Sequence, residues 1–135
     1  MPRTYKSRSR GFTLIELMIV ISIILILISV SIPAYQRSVI RARESVLRQN
    51  LFTLRSVISQ YTLDKQKAPQ ALDDLVSAGY IKTLPMDPMT GHADTWVPEQ
   101  AEDTLMSVDE QEGGIDNVHS GSEAMSTDGT SYSTW

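Results

Sequence analysis

Phe12 to Ile32 reads FTLIELMIVISIILILISVSI, and 16 of these 21 residues are strongly apolar. Wound as a helix, the run covers about 31 Å, the thickness of a bilayer core of roughly 30 Å. Ser22, Ser29 and Ser31 can return their hydroxyls to carbonyls of the preceding turn, so they do not veto insertion. The alternative, a buried core helix, needs apolar neighbours on every side. No other part of these 135 residues is apolar enough to supply them. The stretch is therefore read as a membrane span.

Working outward, MPRTYKSRSRG precedes the span with Arg3, Lys6, Arg8 and Arg10 and no acid. Basic residues beside a span stay cytoplasmic, which directs the C-terminal side outward. Arg37, Arg41 and Arg43 on the far side pull the other way. A secretory signal is cut after its apolar stretch at a small-residue site, and Ser-Ile-Pro-Ala is a poor one. The candidate processing site lies before the stretch, at Gly11–Phe12, so cutting there leaves the span on the mature chain. Glu16 is the odd residue, because a carboxylate deep in a bilayer costs roughly 2.5–3.5 kcal/mol. Two readings stand. It can sit in the first helical turn, where the dipole favours an anion and the side chain can snorkel to headgroups. Or it pairs with a cation at the same depth, such as a Phe12 amine freed on a staggered neighbouring helix, which would set an axial register.

The residues Arg10-Gly11-Phe12-Thr13-Leu14-Ile15-Glu16-Leu17 closely resemble the signal of type IV prepilins and type II secretion pseudopilins. That resemblance implies cleavage after Gly11 and N-methylation of Phe12 by a prepilin peptidase. It also implies assembly of the mature subunits, through Phe12 and Glu16, into a helical filament at the inner membrane. Pro33 falls where this family commonly carries a helix-disrupting proline.

Beyond Pro33, Ile40, Leu47, Leu51, Leu54, Ile58 and Tyr61 form one stripe of an amphipathic helix. Arg41, Arg48 and Arg55 form a second face, expected to be solvated. Pro33 should kink or locally open the helix without ending it, giving a run from Phe12 to about Leu63 roughly 78 Å long. The expected organisation is a cleaved leader, 1–11, a transmembrane helix, 12–33, its amphipathic continuation, 34–63, and a small acidic domain, 64–135. In that domain Leu72, Leu75 and Val76 mark a short helix, with Asp73 and Asp74 in its early turns and Gly79 as its stop. Thr95–Val97, Thr104–Val108 and Ile115–Ser120 are strand-like, and Asp109 to Gly114 suits a hairpin loop. The fold class is α+β: a long N-terminal helix packed on a domain with a short helix and an antiparallel sheet.

Charge divides the chain sharply. Residues 1–67 hold 11 Lys and Arg against three acids, while residues 68–135 hold 13 acids against Lys82 alone. Such an acidic domain repels phosphate backbones, so nucleic acid is excluded as a partner. The absence of cysteine excludes disulfides, thiolate metal sites and cysteine nucleophiles. His92 and His119 lack metal-ligand partners at helical spacing, and there is no phosphate loop, so the chain is not read as an enzyme.

Tyr61, Pro69, Leu72, Leu75, Gly79, Tyr80-Ile81, Pro85-x-Asp87-Pro88 and the closing Ser133-Thr134-Trp135 resemble major pseudopilins of type II secretion. The resemblance implies a structural subunit of a periplasmic pseudopilus, single-pass in the bacterial inner membrane with its C-terminal domain in the periplasm. Its implied partners are copies of itself, minor pseudopilins, the prepilin peptidase, the inner-membrane assembly platform and the membrane. Two alternatives remain: a type IV pilus subunit for adhesion, twitching or DNA uptake, and a single-span anchor protein that never polymerises. Major pseudopilins resembling this chain bind calcium near the C-terminus. Residues 64–135 contain only 18 large apolar residues, a thin core that a metal could reinforce. Ser120, Ser122, Glu123 and Asp128, with Asp116 as a further donor, could supply oxygens to calcium, or they form a solvated loop. Where Glu123 stands, the family pattern usually has aspartate.

Overall fold

A computed structural model describes Met1, residues 11–101 and residues 113–135. Five elements follow one another: helix α1, Leu14–Lys65; helix α2, Asp73–Ser77; strands β1, Val97–Gln100, and β2, Ile115–His119; and a 3-10 turn, Tyr132–Thr134. The strand expected at Thr104–Val108 and most of the acidic loop after it lie outside the described residues. The chain divides into two compact units, Met1–Ser38 and Val39–Trp135.

In the first unit α1 starts on a threonine N-cap. The Thr13 hydroxyl accepts the Glu16 amide at 3.3 Å, and the Thr13 carbonyl takes the first helical bond, from Leu17. Its large apolar residues are exposed throughout, and the helix is long and apolar enough to cross a membrane. The three serines behave as the sequence suggests: Ser22, Ser29 and Ser31 donate to Met18, Ile26 and Leu27 carbonyls at 2.7–2.8 Å. Pro33 lies inside the helix, which continues beyond it.

The second unit is built on the later turns of α1. Glu44, Leu47, Leu51, Leu54 and Ile58 are its buried residues. Their spacing of 3, 4, 3 and 4 is the expected stripe with one change: Ile40 is exposed, and Glu44 holds the place at the N-terminal end of the stripe. The helix ends at Gln66, which turns into the left-handed region at φ 55 and caps the Leu63 carbonyl with its own side-chain amide. Leu72 and Leu75 from around α2, with Trp96, Ile115, Val118 and Tyr132, complete the core. α2 closes in a Schellman motif. Gly79 at φ 80 donates to the Val76 carbonyl, and Tyr80 donates to that of Leu75.

β1 and β2 pair antiparallel, with Val97 opposite His119, Pro98 opposite Val118 and Glu99 opposite Asn117. Only β2 carries a buried face, Ile115 and Val118. The first strand therefore begins two residues later than its sequence suggests. Thr95 is held instead in the turn before it, where its hydroxyl bonds Thr90 at 2.5 Å. Ser120 falls just past the end of β2, because its side chain turns inward to Asp87.

Candidate assembly site and the C-terminal contacts of α1

At the N-terminal end of α1, Phe12 is 81% exposed and Glu16 lies in the first turn, its side chain also exposed. A β-carbon added at Gly11 would meet nothing within 4 Å, and its backbone does not need the left-handed region. Among the described residues nothing requires glycine there. Thr13, Glu16 and Phe12 thus stand together at a helix start, with the acid fixed at the third helical position by the Thr13 cap. The T-x-x-E spacing was a readable signal for where the helix begins.

The other chemistry-bearing residues gather where the C-terminal segment lies on α1. Glu44 is 2% exposed and accepts three hydrogen bonds from that segment. The Thr127 amide donates at 2.7 Å, the Thr127 hydroxyl at 2.6 Å and the Tyr132 hydroxyl at 2.9 Å. Burial pushes the Glu44 carboxyl up, but the Thr127 and Tyr132 donors, with Arg48 nearby, outweigh it and hold the group below 4.5. The Tyr132 phenol is raised, by burial first and then by its bond to Glu44.

Of the arginine face expected to be solvated, Arg41 and Arg48 are exposed and Arg55 departs from the expectation. Arg55 is partly buried; its Nε donates to the Asn117 side chain at 2.7 Å, and its Nη2 to the main-chain oxygens of Val118 and Trp135 at 2.9 and 2.7 Å. Arg48 pairs with Asp128 at 3.0 Å and lies 4.2 Å above the Trp135 ring. Facing them, β2 turns its polar edge outward: His119 contacts Glu99 at 2.9 Å and the Trp135 main-chain oxygen at 2.6 Å. An aligned row of arginines looks the same in sequence whether water or a returning segment covers it, so spacing alone could not separate the two.

A second buried carboxylate, Asp87, belongs to the loop before β1. It accepts the Met89 amide at 2.8 Å and the Ser120 hydroxyl at 2.6 Å. Four residues were candidate calcium ligands. Ser120 is buried and given to Asp87; its oxygen also accepts the Ser122 amide at 3.2 Å. Ser122 accepts the Ala124 amide, Glu123 is exposed and offers its main-chain oxygen to Ser131, and Asp128 is paired with Arg48. Asp116 is exposed on β2. Ser120 and Ser122 are joined across Gly121 by the Ser122 amide hydrogen bond, whereas Asp128 belongs with Arg48. Among the described residues no group of three or more His, Asp or Glu is placed to hold a metal ion. Every buried side-chain nitrogen or oxygen there already has a partner. Two of the four, Ser120 and Asp128, are thus engaged by Asp87 and Arg48.

A long N-terminal helix with an exposed apolar start, carrying a small α+β unit on its later turns, defines a pilin-like subunit. Residues 6–32 match the prokaryotic N-terminal methylation motif. The chain is 35% identical over 97 residues to the type II secretion system core protein G of Klebsiella pneumoniae, covering 60% of this chain and 69% of that protein. The protein of the same name from Escherichia coli K12 is 34% identical over 97 residues, 60% of this chain and 67% of its own length. This chain belongs to the family of the type II secretion system core protein G. It is also 43% identical over 65 residues to the type IV major fimbrial protein FimA of Dichelobacter nodosus, which is 48% of this chain and 41% of that protein. The chain thus spans about two fifths of the length of that fimbrial relative. No solved structure matches it.

Proposed function

We propose that this chain is a structural subunit, not an enzyme, of a periplasmic pseudopilus that serves type II protein secretion. The observation that carries this reading is the methylation motif over residues 6–32, joined to an apolar stretch of helix of which no residue is buried. A prepilin peptidase cuts after Gly11 and methylates the Phe12 amine. The helix then remains in the inner membrane with the second unit on the periplasmic side. Copies pack through α1, and the Phe12 amine of one copy neutralises Glu16 of the next. In a low-dielectric setting such a pair is strongly directional, so it selects one axial stagger from the many that greasy helices would tolerate. Minor pseudopilins and the assembly platform complete the machine.

Intact mass and N-terminal sequencing of protein purified from its native host test the reading. The expected product begins at Phe12 and carries one added methyl group; any other start overturns it. The fimbrial similarity supports a second reading, a type IV pilus subunit. Deleting the gene separates the two: loss of secreted folded proteins supports the pseudopilus, whereas loss of surface fibres with normal secretion supports the pilus.

A further inference from the structure

Of the oxygens a calcium ion could use near the C-terminus, those of Ser120, Ser122 and Asp128 are already engaged by other partners, and the Glu123 carboxylate stands apart from them on the surface. The Ser120 hydroxyl is spent on Asp87. A divalent cation at Asp128 would sit beside the Arg48 guanidinium, 3.0 Å from that carboxylate, against like-charge repulsion. The segment is nevertheless fixed at both of its ends. Near its start, Ser120 is anchored to buried Asp87. Further on, Thr127 and Tyr132 deliver three hydrogen bonds to buried Glu44. Arg55 takes the main-chain oxygens of Val118 and Trp135, and Arg48 covers the Trp135 ring.

We propose that this chain closes residues 120–135 onto α1 without a divalent cation, using Glu44 and Asp87 as the acceptors and Arg48 and Arg55 as the positive charges. The polarity of a metal site is inverted. In a calcium loop the segment brings carboxylates to a central cation. Here the segment brings hydroxyls and an amide to carboxylates fixed elsewhere in the fold, and its one paired acid, Asp128, meets a guanidinium. Hydrogen bonds to an ionised, desolvated acceptor are the strong kind, and three of them converge on Glu44. The inference is independent of which filament the chain builds.

The test is the melting midpoint of the full chain in detergent, followed by tryptophan fluorescence, with calcium chloride or with a calcium chelator. A bound ion at about a hundredfold its dissociation constant would raise the midpoint by roughly 10–20 °C. The proposal expects the two curves to coincide, and a saturable rise with calcium overturns it. Glu44→Gln should lower the midpoint by about 10 °C through lost charge-assisted bonds. Thr127→Val, a milder change that removes one of them, should lower it by a smaller amount and hasten proteolytic cleavage within 120–135. If Thr127→Val melts and resists protease like the parent chain, the closure is not held at Glu44 and the proposal fails.

Discussion

Glu16 and Glu44 are both acids on α1, and their surroundings give them opposite work. Glu44 is enclosed and satisfied by donors from its own chain. Glu16 receives none through its carboxylate among the described contacts; only its amide is used, by Thr13. An acid at the apolar start of the helix, with no partner among the described residues, fits the proposed pairing with a neighbouring copy. Glu16→Ala should therefore leave the span intact and membrane insertion unchanged while filament formation falls to background, read by membrane fractionation beside electron microscopy of sheared filaments. Normal filaments from this variant would remove the register mechanism. The proposed role of Glu16 was visible in the sequence because it breaks an apolar run. That of Glu44 was not, because an acid among arginines on an amphipathic helix looks like any solvated residue.

Among the elements, α1 was the most legible, since a run of apolar residues followed by a 3–4 stripe admits few other structures. Its limits shift by two residues at each end, to Leu14 and Lys65, once the Thr13 cap and the Gln66 turn are taken into account. The stripe itself makes a direct prediction. Leu54 is fully buried at its centre, whereas Phe52, two residues earlier, is exposed. Leu54→Ala should cost about 2–5 kcal/mol of stability through the cavity it leaves. Phe52→Ala should cost about 0.5 kcal/mol or less. Chemical unfolding of the detergent-held chain measures both, and equal losses would mean that the core does not lie on this face. β1 was harder to place because its four residues are all exposed, so no apolar alternation marks it. Its position is fixed by pairing with β2, and pairing across a gap of this kind leaves no trace in a single sequence.

For the molecule as a whole, the Glu44–Tyr132 contact sets a pH range. The Glu44 carboxyl lies below its ordinary 4.5 in the fold, so its contribution is complete above 4.5 and is lost as pH falls through the lower folded value. Glu99, held low by bonds from His119 and Asn117, acts in the same direction. Tyr132 lies above its ordinary 10.0, so its contribution is complete below 10.0 and is lost as pH rises through the folded value. The melting midpoint of the full chain should form a plateau between these limits, with a fall on each side. In Glu44→Gln the plateau should drop and the acid limb become shallower. An acid limb identical to that of the parent would show that Glu44 does not carry it.

Thr127 and Tyr132 stand 83 and 88 positions after the carboxylate they satisfy. Contacts so remote along the chain are late to form, because the loop they close must first be ordered. During synthesis the ribosome therefore releases the greasy N-terminal segment long before the residues that can lock the rest exist. Whatever the first unit meets, it meets while the remainder is still an open polymer, and the second unit can close only once its last residues have been made.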